Sequence, residues 1–290
     1  MDALNEIKRW RQELHQIPEL GLQEFKTSKY LKDELTKMGY EPISILDTGV
    51  LVYLDNHQDK TLAFRSDMDA LKISEQTNCS FTSCHNGYMH ACGHDGHMAA
   101  LLGLAKKLKE QPLKWKHNIL LIFQPAEESP GGAKLIVEAG ILKQYNVRAI
   151  FGLHLMPTIE AGKIACRPGP LMAQNGELDV TITGKSAHAG LYHLGIDSIM
   201  IASQIICQYQ SIISRVIAPV ESCVINIGEI QGGTVRNIVA DQTTFKGTVR
   251  TYSETVFKKI TDTMEAIIMG WSKPMAVPLN LVARQCIHRF

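Results

Sequence analysis

The densest chemistry in the chain lies in residues 89–97 (MHACGHDGH), where Cys92, His94, Asp95 and His97 fall within six positions. Thiolate and imidazole are natural ligands for zinc and similar transition metals. In an extended segment, residues two apart point to the same side, so Cys92 and His94 can reach one cation. A second group follows the apolar run NILLIF, in Gln124-Pro125-Ala126-Glu127-Glu128-Ser129-Pro130-Gly131-Gly132. Adjacent side chains diverge, so one glutamate can ligate a metal while the other faces a water. That division suits hydrolysis, in which a metal lowers the pKa of water and a free carboxylate carries its proton. A third signal is His154, which closes the run over 148–153. Taken singly, these residues also fit a core cysteine, a solvated acidic loop and a satisfied core histidine. Together they supply S, N, O and N donors, enough for at least one metal. Asp67 and Asp69, in RSDMDAL after TLAF, share one side. They either orient a ligand imidazole or cap and turn the next segment.

These groups need elements to hold them. Leu4, Ile7, Trp10 and Leu14 repeat at helical spacing over 2–14, and the same period over 24–38 stops at Gly39. Short apolar runs at 50–54, 61–64, 119–123 and 149–155 read as buried strands, and 98–108 reads as a helix. Strands alternating with helices predict an α/β sheet covered on both faces, which puts the carboxylates at the carboxyl end of a strand. After a Gly/Pro-rich joint at 167–170 the order becomes strand, helix (about 195–216), strand, loop, strand and helix (about 253–268). That is a ferredoxin-like β-α-β-β-α pattern lacking its last strand. The predicted domains are therefore 1–174, 175–270 and a tail at 271–290.

The charge balance narrows the function classes. Thirty Lys+Arg stand against 29 Asp+Glu, a net charge of +1, so no basic surplus supports nucleic-acid or anionic-membrane binding. Seven scattered cysteines fit a reducing compartment better than a disulfide framework. The N-terminal stretch is charged and amphipathic, without the apolar core of a signal peptide, and the apolar stretch 199–220 is interrupted by Gln204, Gln208, Gln210 and Arg215. A cytoplasmic protein is the expectation.

In this order, RSDMDAL, MHACGHDGHMA, FQPAEE with its Gly-Gly pair, and GLHLMP resemble the M20 metallopeptidase superfamily, in particular its amidohydrolase branch. That branch includes hippurate hydrolase, auxin-conjugate hydrolases and N-acetyl-diaminopimelate deacetylase. The resemblance runs from about residue 5 to about 268. It implies a mixed-sheet α/β metallo-exopeptidase-type catalytic domain interrupted by a ferredoxin-like α+β lid, which often mediates homodimerisation. It also implies two divalent metal ions, zinc or manganese first and cobalt or nickel as further options. Cys92, His94, Glu128 and His154 would be ligands, and Glu127 the general base. In the lid, GKSAH resembles the segment whose histidine, here His188, polarises the scissile carbonyl, commonly across a dimer interface; His188 also fits an exposed turn residue. Asn237, in GGTVRNIVAD, resembles a substrate-binding residue, and Arg250 matches a lid position with either a structural or a substrate role.

The reaction this implies is cleavage of the amide of an N-acyl amino acid, or a similar small conjugate, by metal-activated water. Two departures qualify it. Leu191-Tyr192-His193 stands where the family usually has a small residue and Pro-His. After Ile268 the sequence leaves the family pattern, Pro274 and Pro278 disfavour a continuing helix or central strand, and His288 lies too close to the lid to equal the family's further ligand. The expectation is therefore a truncated catalytic domain with an unrelated tail. Its rival reading is an inactive fragment that holds a metal and dimerises through the lid. A purely structural zinc protein fits poorly, because a Glu-Glu pair is not a closed thiolate site.

Overall fold

The computed structural model describes residues 3–111, 115–275 and 279–284, with side chains as far as 271. The chain divides into two compact units, Met1–Ile164 and Ala165–Phe290, with the division falling before the joint and ten residues ahead of position 174.

In the first unit the order is α1 (Ala3–His15), α2 (Phe25–Lys37), β1 (Ile43–Ile45), β2 (Gly49–Leu54), β3 (Thr61–Asp67) and α3 (His94–Glu110). It continues with β4 (Asn118–Gln124), α4 (Gly132–Glu138), α5 (Ile141–Gln144) and β5 (Val147–Gly152). The sheet is mixed, in the order β1-β2-β4-β3-β5, with β3 parallel to both β4 and β5 and β2 antiparallel to β4. Every residue of β4 is buried, and the alternation of its side chains explains why. Ile119, Leu121 and Phe123 join a core with Trp10, Leu14, Leu31, Leu35 and Leu102 from the first three helices. Leu120 and Ile122 face the other way and pack with Leu51, Ala63 and Ile136. Because β3, β4 and β5 run parallel, their carboxyl ends Asp67, Gln124 and Gly152 emerge at one edge of the sheet. Ligands collect at that edge in open α/β sheets.

The second unit contains β6 (Gln174–Thr183), a 3-10 turn at Ala189–Leu194, α6 (Ser198–Arg215), β7 (Cys223–Gly232), β8 (Gln242–Thr251), α7 (Glu254–Met275) and β9 (Leu279–Arg284). Asp197 caps α6 by accepting the N–H groups of Ile199 and Met200. The four strands form an antiparallel sheet in the order β7-β8-β6-β9, and both long helices bury their apolar stripes against Leu178, Val180, Ile182, Phe245 and Val249.

This arrangement corrects the sequence reading of the tail. The helix continues past 268, through Pro274 to Met275, and the strand missing from the ferredoxin-like pattern is present as β9. A proline so near a helix end forfeits a hydrogen bond of the last turn only, and the strand that follows lies at a sheet edge, where the ladder is least demanding. In β9, Leu279, Leu281 and Ala283 stand in register with Ile182, Val180 and Leu178, the buried row of β6. Residues 276–278 and 285–290, which include Cys286 and His288, lie outside the described residues. Among the described residues no helix is long and apolar enough to cross a membrane.

Candidate metal centre

The segment 89–97 is not extended. Gly93 adopts a left-handed conformation (φ 87°) and starts α3 at His94, so the thiol precedes a helix whose first turn carries His94, Asp95 and His97. Cys92 and His94 still converge, but through this turn and not through strand alternation. The donor atoms of Cys92, His94 and His154 lie within 4.8 Å of one another, and so do those of His94, Glu127 and Glu128. The two groups share His94, so the sequence-derived candidates Cys92, His94, Glu127, Glu128 and His154 meet around one imidazole.

Hydrogen bonds decide which nitrogen each ring offers. His94 Nδ1 lies 2.9 Å from the Asp69 carbonyl oxygen, which can only accept, so Nδ1 carries the proton. The opposite nitrogen, Nε2, is buried without a hydrogen-bond partner. It points among carboxylates, 3.6 Å from Asp67 Oδ2, 3.9 Å from Glu127 Oε2 and 4.0 Å from Glu128 Oε1. In the same way His154 donates Nδ1–H to the Leu155 carbonyl at 2.8 Å and turns Nε2 to within 3.5 Å of Cys92 Sγ. An orphaned imidazole lone pair among anionic and thiol donors is the arrangement a divalent cation satisfies. Burial opposes charge on His94, yet its contacts with Asp69 and Cys92 and the nearby carboxylates push its pKa up to about 11.

The Glu127–Glu128 pair is held from behind. Asp69 accepts the N–H of Glu127 at 2.9 Å and of Glu128 at 3.0 Å, one on each carboxylate oxygen. Glu24, buried near the start of α2, accepts the Ala126 N–H at 2.8 Å and the Thr48 hydroxyl at 2.7 Å. The turn closes when the N–H groups of Gly131 and Gly132 reach back to the Ala126 carbonyl. A Cβ on Gly132 would sit 1.9 Å from the Pro125 oxygen, so only glycine fits there. Asp69 therefore orients both the His94 imidazole, through its backbone, and the glutamates, through its side chain.

His97 was not assigned from sequence, and the geometry gives it a supporting place. Its Nδ1 is 2.6 Å from Asp67 Oδ1, and its Nε2 accepts the Leu155 N–H at 2.8 Å. Both nitrogens are used, which leaves the ring no lone pair for a metal and disfavours the grouping of Asp67, His94 and His97 as the centre. Asp67 also accepts from Arg65, whose Nε donates to Gln124 Oε1 at 2.8 Å. Burial works against ionised Asp67, but the His97 hydrogen bond and the charges of His94 and Arg65 hold it near 2. This chain of contacts ties together the ends of all three parallel strands. The only sequence signal for it was spacing: His97 follows His94 by three residues, on the same helix face. Asp95, by contrast, turns away from the pocket and binds His15 and Arg11.

In the second unit, His188 and Asn237 are brought together. Residue 188 bridges to Ile238, Ala189 N–H donates to the Asn237 carbonyl, and Val239 N–H donates to Ala187. His188 is exposed, and its Nδ1 accepts the Gly190 N–H at 3.1 Å, so the proton sits on the outward Nε2. Leu191 and Tyr192, on the following 3-10 turn, are largely exposed. Arg250 is exposed, on the face of β8 opposite the buried Phe245 and Val249.

A mixed α/β unit with thiol, imidazole and paired carboxylate donors at its strand ends defines a metal-dependent hydrolase. Residues 63–281 match peptidase family M20/M25/M40, and the chain belongs to that family. It is 42% identical over 273 residues to the N-acetyldiaminopimelate deacetylase of Listeria monocytogenes serotype 4a (strain HCC23), covering 93% of this chain and 73% of that one. The enzyme of the same name from Bacillus subtilis (strain 168) is 42% identical over 270 residues, covering 92% and 72%. Among solved structures, the Bacillus subtilis YXEP protein, described as a dinuclear metal binding peptidase from the M20 family, superposes with TM-score 0.83 at 33% identity. That similarity covers 99% of this chain and 75% of that one. The chain is an M20 metal-dependent amidohydrolase, and its donor groups suit two divalent ions.

Proposed function

We propose that this chain removes the acyl group from N-acyl amino acids, with an N-acetylated diamino dicarboxylic acid of the diaminopimelate type as its foremost substrate. One observation carries the site reading: the buried His94 Nε2, without a hydrogen-bond partner, faces Glu127 and Glu128. The names of the relatives at 42% identity support the substrate class, and their being named as enzymes favours an active hydrolase over an inert fragment.

In this reading Cys92, His94, Glu128 and His154 hold the two ions, with zinc or manganese foremost because sulfur, nitrogen and oxygen donors are mixed. Divalent ions held by these residues would supply a water of lowered pKa and polarise the scissile carbonyl. Glu127 takes the proton of the attacking water and returns it to the leaving amine. His188 donates from Nε2 to the carbonyl oxygen as negative charge builds on it. Asn237, fixed beside it by backbone pairing, binds the substrate. The second unit acts as a lid and as the contact surface of a homodimer; the open edge of the ten-residue β7, with exposed Val224 and Ile230, supports this. Free cysteines at all six described positions support a reducing, cytoplasmic location.

The test is a substrate panel of N-acetyl-diaminopimelate, hippurate and an auxin–amino acid conjugate, scored by kcat/KM on metal-loaded protein. The acetylated diamino acid should lead by about tenfold or more, as expected when pocket contacts select a small acyl group. Preference for a benzoyl or indolyl acyl group would overturn the substrate assignment.

A further inference from the structure

A second constellation of ligand-type side chains lies in the first unit, away from the Cys92–His94 pocket. His15 ends α1, while Glu75 and Cys79 belong to the long connection between β3 and α3. His15 Nε2 is 3.2 Å from Glu75 Oε1, and Cys79 Sγ is 3.8 Å from the same oxygen. One donor atom from each of the three lies within 4.8 Å of the others. Tetrahedral zinc with bonds of about 2.0 Å to N and O and about 2.3 Å to S has N···O edges of about 3.3 Å and S···O edges of about 3.5 Å. The observed separations differ from those edges by only a few tenths of an ångström.

The ligands are also aimed. His15 Nδ1 is 2.8 Å from Asp95 Oδ2, and Arg11 Nε donates to that same oxygen at 3.0 Å. A carboxylate behind one ring nitrogen directs the other outward, here into an ion pair with Glu75. Unlike His97 Nε2, which accepts a backbone N–H, His15 Nε2 faces a carboxylate, and a cation can replace the proton between them. Ser83 N–H fixes Glu75 Oε2 at 2.6 Å, and Oε1 is the oxygen turned to His15 and Cys79. The Thr77 hydroxyl donates to Glu75 Oε1 and lies 3.4 Å from Cys79 Sγ, so a further oxygen borders the site. Phe81 packs edge-on against His15 at 5.6 Å and shields the ring.

We propose that His15, Glu75 and Cys79 form a second, separate metal site that takes a thiophilic divalent cation such as zinc or cadmium through one imidazole nitrogen, one carboxylate oxygen and one thiolate. Thiolate makes the site selective for soft and borderline ions over magnesium or calcium. Occupancy links α1 to the connection that leads into Cys92, and it does so through Asp95, the neighbour of His94 in the first turn of α3. A metal here therefore stiffens the scaffold of the hydrolytic pocket without sharing its ligands.

The probe is cadmium alone, added to the Cys92→Ser chain so that the thiolate of the hydrolytic centre is removed. The sulfur-to-cadmium ultraviolet absorption should saturate at about one ion per chain, as expected for a single thiolate site. The saturable band should vanish when Cys79→Ser is added. A band that survives Cys79→Ser, or no saturable band in Cys92→Ser, overturns the proposal. Wild-type protein gives an independent measure, the rate at which iodoacetamide labels Cys79, read by peptide mass spectrometry. Cadmium should slow that labelling by about tenfold or more, because a metal-bound thiolate is not a free nucleophile. An unchanged rate overturns the site whether or not the variants fold.

Discussion

The two units hold their candidate functional residues in opposite ways. In the first, Asp67, Asp69, His94 and His97 are nearly or wholly buried, and each polar group is aimed by another behind it. In the second, His188 is exposed and held by one turn and by backbone pairing to the segment around Asn237. The first arrangement suits a metal, because coordination tolerates little displacement and a low-dielectric surround strengthens each charge. The second suits a group that meets substrate, since an outward Nε2–H needs only a fixed tautomer and access.

The largest effect that separates these two modes comes from His188→Ala. It should lower kcat by about a hundredfold, the scale of a lost oxyanion donor, while metal content stays unchanged. Loss of metal in this variant would break the division of labour. Next comes His97→Ala, which strips support from both Asp67 and the Leu155 N–H beside His154. Metal affinity should fall about ten- to a hundredfold by competition with a chelator, with partial recovery in His97→Gln. Unchanged affinity would show that the buried network does not position the ligands. The smallest effect is predicted in the core of the second unit, where the Tyr209 hydroxyl is buried without a hydrogen-bond partner. Tyr209→Phe removes an unsatisfied polar group and should leave stability unchanged or raise it by about 1 kcal/mol in denaturant unfolding. Destabilisation beyond that would reveal a partner for the hydroxyl.

Much of this architecture was legible because periodicity reports burial. Short apolar runs marked β2, β3 and β4, and the helical stripe over 98–108 marked α3. The ligand-type residues stood out because Cys92, His94, Glu127, Glu128 and His154 are all placed at strand ends or a helix start. What remained hidden depended on long-range contacts. Nothing local tells that His97 spends both ring nitrogens on Asp67 and Leu155, or that Asp95 turns toward His15 and leaves His94. The strand β9 was missed because prolines on its approach outweighed a short pattern that gains meaning only beside β6. The reason for the Cys92–His94 convergence was also misread, since a left-handed Gly93 and a helix start replace the extended segment expected.

The central claim is that Glu127 moves the proton while its neighbours hold the metals. Metal analysis and acyl-release kinetics on Glu127→Gln, beside the unaltered chain, test it most directly. The account predicts about two divalent ions per chain in both proteins, with turnover reduced about a thousandfold or more in the variant. Substantial residual turnover, or loss of metal together with activity, would contradict it.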